Sequence, residues 1–292
     1  MAPYPVGSDV KYRDITAPIM STQLDYVDVN KTASLVKALE TQGCFEGEMD
    51  VAHRMEIVAN LDHLVKQWIT DLSIEKNMPP SLAHRVGGHV YTFGSLGLGV
   101  QNKWSDIDAL CVVPIQIHHE DFFGSFYSVL HEQPNVTKLR AVKNAYVPVI
   151  KMVYDGIDID MTFARLALND VKNKLPLSYP EVLKHCDSKC VRSLNGYFVT
   201  DKIINLVPNK DNFRLTLRAI RAWAKKHGIY SNVLGYLGGV SWAILVARVC
   251  QLYPNADCSI LLHKFFLMFS KWPWPKPVQM FKLDHLHDLV FR

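Results

Sequence analysis

The chain has 292 residues, of which 49% are hydrophobic and 21% charged, and its mean hydropathy of +0.02 is that of an ordinary globular protein. This balance excludes a disordered polymer and a coiled coil, while the length leaves room for one large core or two smaller ones. With 32 basic against 28 acidic residues, the net charge of +4 permits a polyanionic partner without demanding one.

Residues 1–14 lack the basic start and apolar core of a cleavable leader. Helical spacing first appears over residues 53–72, where Met55, Val58, Leu61, Leu64, Val65, Trp68 and Leu72 share one face. After the break at Pro79-Pro80, short β-like runs follow at 90–93, 107–113, 147–154 and 157–163. Asp155-Gly156 joins the last two runs and is a strong hairpin signal. From Asp211 the pattern turns helical, with Phe213, Leu217, Ile220 and Ala224 on an apolar stripe that Gly228 should stop. The most apolar run, 240–252, carries Arg248 and is shorter than the ~20 residues of a membrane span, so no membrane partner is expected. The proline-rich run 271–277 cannot continue a helix. Six scattered cysteines (Cys44, Cys111, Cys186, Cys190, Cys250 and Cys258) fit a reducing compartment, and a soluble intracellular protein is expected.

The chemistry concentrates between residues 93 and 160. Phe93-Gly94-Ser95 follows a β-like run, and a Gly-Ser turn there lets backbone N–H groups and a hydroxyl approach a polyphosphate. Asp106 and Asp108 are two apart in the next run, so both carboxylates leave one strand face. Two such neighbours repel each other and gain most from divalent cations of the Mg²⁺ kind. The hairpin brings Asp158 and Asp160, again on one face, with Lys151 on the partner strand. A third carboxylate can therefore converge, and three can hold two metals for an in-line phosphoryl displacement. Spacing alone leaves open which of Asp158 and Asp160 completes the set.

Arg214, Arg218, Arg221 and Lys225 recur at helical spacing with no acidic residue between them, which suggests a phosphate-binding stripe. His185, Cys186 and Cys190 lack a standard zinc spacing. His118-His119 and the pair His285 and His287 read as surface residues. The sequence has neither a P-loop nor a Gly-x-Ser-x-Gly elbow.

The segments FGSLGLGVQNKWSDIDALCVVP (93–114) and VPVIKMVYDGIDIDMTFARLAL (147–168), with residues 190–256 and 263–278, resemble the eukaryotic poly(A) polymerases of the DNA polymerase β-like nucleotidyltransferase superfamily. The resemblance extends over residues 15–278. It implies an α+β fold, a mixed β-sheet nucleotidyltransferase domain with flanking helices followed by a partial, mostly helical central domain. The implied divisions are a lead-in over 1–52 packing on the central domain, the catalytic domain over 53–168, the central domain over 169–280 and a divergent tail over 281–292.

By the same resemblance, Asp106, Asp108 and Asp160 look like the metal-binding catalytic aspartates, with Asp158 where the family usually has glutamate. Phe93, Gly94 and Ser95 match its nucleotide-binding turn, while Tyr230, Gly239 and Val240 match positions that contact ATP; Asn102 stands where the family has a threonine near the nucleotide, and Arg221 where it has a phosphate-contacting lysine. Asn195 and Asn232 lie in matching nucleotide-proximal segments. Leu96-Gly97 replaces the family's Tyr-Arg, which removes a cation and is expected to loosen the helix that follows. The implied activity is template-independent transfer of AMP from ATP to RNA 3′-hydroxyl ends with Mg²⁺ or Mn²⁺. The implied partners are RNA and mRNA 3′-end processing factors, and the implied place is the nucleus, with the cytoplasm open. The chain resembles a truncated member lacking the C-terminal RNA-binding domain. The alternative expectation is a weakly active or inactive form that binds RNA, ATP or a partner.

Overall fold

The computed structural model describes residues 18–19, 26–177 and 185–281. They fall into two compact units, residues 43–177 with 185–202, and residues 18–19 and 26–42 with 203–281.

The first unit is built on a five-stranded mixed sheet in the order β1-β2-β5-β4-β3. The strands are β1 (His89–Phe93), β2 (Ile107–Val113), β3 (Val136–Val142), β4 (Val149–Tyr154) and β5 (Ile157–Arg165). β2 and β5 run parallel and the other pairs are antiparallel. β4 and β5 form the expected hairpin, with φ of 47° at Asp155 and 83° at Gly156. β3 has no clear sequence signature because it is an edge strand with Lys138 and Arg140 both exposed, and a register shift between Thr137 and Arg140 blurs its alternation.

Helices α2 (Glu48–Glu75) and α3 (Pro80–Val86) precede the sheet. α2 is longer at both ends than the apolar spacing predicts, and it buries Val58, Leu61, Val65, Trp68 and Leu72 as expected. Met55, expected on that face, is 54% exposed, and Arg54 takes the inward position at 1%. The short α4 (Gly94–Leu98) springs directly from β1. α5 begins at His119–Asp121, passes a π-helical turn at Phe122–Phe126 and ends at Tyr127–His131. α6 (Ser188–Leu206) belongs mostly to this unit. The sheet unit therefore reaches past residue 168, because Cys190 and Leu194 of α6 are buried in the core around the sheet.

The second unit contains α1 (Tyr26–Thr41), α7 (Lys210–Lys226), α8 (Gly239–Leu252) and α9 (Cys258–Ser270). Phe213, Leu217, Ile220 and Ala224 of α7 are all fully buried, as their spacing predicts, and Gly228 follows the helix at φ 69°. The run 240–252 becomes α8, and among the described residues no helix is long and apolar enough to cross a membrane. Its Arg248 is buried and donates to Gln251 at 3.0 Å. All six cysteines are free.

The Asn209 side chain caps α7, accepting from the N–H groups of Asp211 and Asn212 at 3.0 Å each. Asn209→Ala is expected to cost about 1 kcal/mol of stability, read from the midpoint of a urea unfolding curve.

Candidate active site

β2 and β5 are in register with Asp108 opposite Asp160, and on its other side Asp108 pairs with Phe93 at the end of β1. In-register partners project to the same sheet face, so these two carboxylates face one space. Asp106 stands exposed just ahead of β2. Asp158 lies two residues before Asp160, exposed and opposite Val153. Of the two carboxylates left open by spacing, Asp160 is the residue across from Asp108. Lys151, opposite Asp160 on β4, forms an ion pair with it.

Burial pushes the Asp108 carboxyl up to about 7, and the charges of Asp106 and Asp160 push the same way against the opposing pull of Lys151. A carboxylate that resists ionisation beside two others is a donor set whose repulsion a divalent cation relieves. These oxygens do not form the tightest set of potential ligands, however. Among the described residues, the three-residue group within 4.8 Å is His119, Asp187 and Cys190.

A folded-state value of about 7 exceeds the ~3.9 of an unfolded aspartate, so between these pH values the folded chain holds a proton that the unfolded chain releases. The metal-free chain therefore loses stability as pH rises through that window. Asp108→Asn is expected to raise the melting temperature in chelator by a few degrees at pH 8 and to leave it near wild type at pH 4. An equal gain at both values would remove buried charge as the cause.

The turn after β1 is shaped around this carboxylate. Gly94 has φ of 60°, and a Cβ there would run into the Asp108 side chain. Its N–H donates to Thr200 Oγ1 of α6 at 3.1 Å. Gly97 allows α6 equally close, since a Cβ would lie 2.8 Å from Thr200 Cγ2. The Leu96-Gly97 departure therefore does not abolish the helix, because α4 forms and its glycine is filled by Thr200. Ser95 Oγ is buried and has no hydrogen-bond partner. An orphaned hydroxyl in a glycine turn after a strand suits a phosphate oxygen.

Asn102 builds the loop ahead of Asp106. Its Oδ1 accepts from Trp104 N and from Ser105 Oγ, both at 3.1 Å. Arg54 Nη2 donates to the carbonyls of Asn102 and Lys103 at 3.2 and 3.3 Å. Its Nε pairs with Glu46 at 2.5 Å, and both side chains are 2% exposed.

In the helical unit, Arg221 and Lys225 flank the Tyr230 ring at 6.0 and 5.3 Å from its centroid. The Tyr230 hydroxyl sits against Gly239, where a Cβ would lie 3.0 Å away, and Val240 is 52% exposed in the first turn of α8. The structure thus gathers Arg221, Tyr230 and Gly239. The cationic stripe is not uniform, because Arg214 pairs with Asp211, one turn ahead of it, at 3.3 Å.

The family description "Poly(A) polymerase nucleotidyltransferase domain" matches residues 15–207, and "Poly(A) polymerase central domain" matches 212–290. The chain belongs to the poly(A) polymerase family. It is 41% identical over 288 residues to nuclear poly(A) polymerase 2 of Arabidopsis thaliana, covering 98% of this chain and 36% of that protein. It is 43% identical over 265 residues to a poly(A) polymerase of Dictyostelium discoideum, covering 90% and 33%. The chain thus spans about a third of the length of these relatives. Among solved structures, the Cid1 RNA terminal uridylyl transferase superposes at TM-score 0.57 with 14% identity, covering 83% of this chain and 73% of that one. The polymerase core of the TRAMP RNA surveillance complex superposes at 0.51 with 17% identity, covering 84% and 65%. These two likenesses are of fold.

The His119 cluster corrects the reading of His119 as a surface residue. Its ring lies 4.7 Å from Phe163, and its Nε2 is 3.6 Å from Cys190 Sγ and 3.9 Å from Asp187. Burial holds the imidazole below its ordinary range and pushes the Cys190 thiol up to about 12. Asp187 caps α6, accepting from the N–H groups of Lys189 and Cys190, and its other oxygen accepts from the Cys190 thiol at 3.2 Å. Arg165 lies 3.7 Å from that oxygen, so the cluster is charge-balanced as a helix cap. His185 is exposed and outside this group. His285 and His287 lie outside the described residues.

Proposed function

We propose that the chain transfers AMP from ATP to the 3′-hydroxyl of RNA without a template. In this reaction the hydroxyl oxygen bonds to the α-phosphorus, the bond to the β-phosphate oxygen breaks, and pyrophosphate leaves. The observation that carries the reading is Asp108 facing Asp160 beside the Gly94-Ser95 turn in a chain of this family.

Asp106, Asp108 and Asp160 are the residues that would hold divalent cations, Mg²⁺ or Mn²⁺, which supply activation of the attacking hydroxyl and neutralisation of the leaving group. The chain's own residues then have distinct tasks. Asp108, crowded and half-buried, would hold the cation with the carboxylate that faces Asp160. Lys151 offsets the charge of Asp160. Gly94 keeps the phosphate-facing backbone close to Asp108, and Ser95 Oγ offers an unused hydrogen bond. Arg221, Tyr230, Gly239 and Val240 contact the nucleotide in this reading, as their family positions imply, and Asn102 acts through the loop it shapes. A nuclear place and partnership with mRNA 3′-end processing factors follow from the same reading, supported by the nuclear name of the Arabidopsis relative.

The test is incorporation of labelled AMP from ATP onto an oligo(A) primer in Mg²⁺ or Mn²⁺. Primer extension is expected. No extension by a chain shown to be folded overturns the reading and leaves a non-catalytic binding role.

A further inference from the structure

A tryptophan exposed to solvent normally forfeits a large burial gain, yet Trp104 is 86% exposed. It is not on a loose tip. Its own N–H is held by Asn102 Oδ1, Asn102 N donates to Ser105 Oγ at 3.0 Å, and the buried Arg54 grips the carbonyls of Asn102 and Lys103. The ring is thus displayed from a fixed turn two residues ahead of Asp106, and Lys103 lies 5.9 Å from its centroid.

Trp104 lines a cavity of about 510 Å³ together with the carboxylates Asp106, Asp158 and Asp160 and the cations Lys138, Arg140 and Lys151. Lys138 and Arg140 come from β3, where the register shift interrupts regular pairing. A flat aromatic face next to a row of cations is the pairing that single-stranded nucleic acid uses, bases stacking on the ring and phosphates following the cations. The carboxylates of the same cavity set the polarity, since only the end of a strand brings a reacting hydroxyl to them.

We propose that Trp104 is a stacking platform for a base within the last two nucleotides of a single-stranded RNA 3′ end, with Lys138 and Arg140 under its phosphates. The proposal rests on the reading under Proposed function, and it gives Trp104 a positioning role, not a catalytic one. Because stacking is blind to base identity, the platform would serve any RNA end.

The test is binding of a fluorescent oligo(A) RNA to the full chain by anisotropy. Trp104→Ala is expected to weaken binding about tenfold, and Trp104→Phe, which keeps an aromatic face, by less than about threefold. On an oligo(A) lacking its two 3′-terminal bases, wild type and Trp104→Ala should bind alike, and Trp104→Ala should bind ATP as wild type does. Equal binding of intact oligo(A) by wild type and Trp104→Ala overturns the proposal, as does an equal loss on the base-less oligo or a loss confined to ATP. If wild type extends the primer and Trp104→Ala binds unimpaired, only this proposal fails. If wild type neither binds oligo(A) nor extends it, both readings fail together.

Discussion

Asp108→Ala is expected to lower AMP incorporation by on the order of 10³-fold or more, with Asp106→Ala plus Asp108→Ala taking it to background. The magnitude follows from the proposed reaction, in which the aspartates would hold cations that stabilise charge on the attacking oxygen and on the leaving pyrophosphate, worth several kcal/mol. The same substitutions should not unfold the chain. Asp108 is held near 7 by burial and by the charges of Asp106 and Asp160, so removing a carboxylate relieves repulsion in the metal-free protein. Loss of activity with unchanged or raised melting temperature, and with oligo(A) binding retained, is therefore the expected signature. A variant that loses incorporation only in proportion to lost folded protein would assign the aspartates a structural role.

Much of this site was legible in the sequence because strand alternation is a strong constraint. Asp106, Asp108 and the hairpin around Asp155-Gly156 are local signals, and the hairpin fixes where Asp160 falls relative to Lys151. What spacing could not supply was the pairing of β2 with β5, strands separated in sequence by a π-bulged helix, the edge strand β3 and β4. That pairing is what sets Asp160 across from Asp108. The edge strand itself was hidden by its cations and its register shift. Likewise, Thr200 lies over a hundred residues from Gly94, so the closeness that makes Gly97 useful had no local signature. His119 beside Asp187 and Cys190 is a contact of the same non-local kind.

Arg54 did leave a signal, since it sits on the apolar stripe of α2, four residues before Val58. A cation at that place demands a partner, and Glu46 is that partner. Glu46→Ala is expected to destabilise the chain by about 3–5 kcal/mol, measured by urea unfolding, because it leaves the guanidinium buried with two carbonyl acceptors and no counter-charge. The pair itself is a poor stabiliser, since Glu46 Oε2 and Arg54 Nη1 are buried without partners. Glu46→Leu with Arg54→Met should therefore recover most of the lost stability. That double variant keeps the fold but frees the carbonyls of Asn102 and Lys103, which anchor the loop bearing Trp104 and leading into Asp106. It should unfold near the wild-type midpoint yet show reduced primer extension, with the loss larger than any change in stability explains. Full activity in the stable double variant would mean that the loop holds its shape through Asn102 alone. The expected split between stability and activity assigns the buried ion pair to positioning the site, at a cost to the core that apolar residues would avoid.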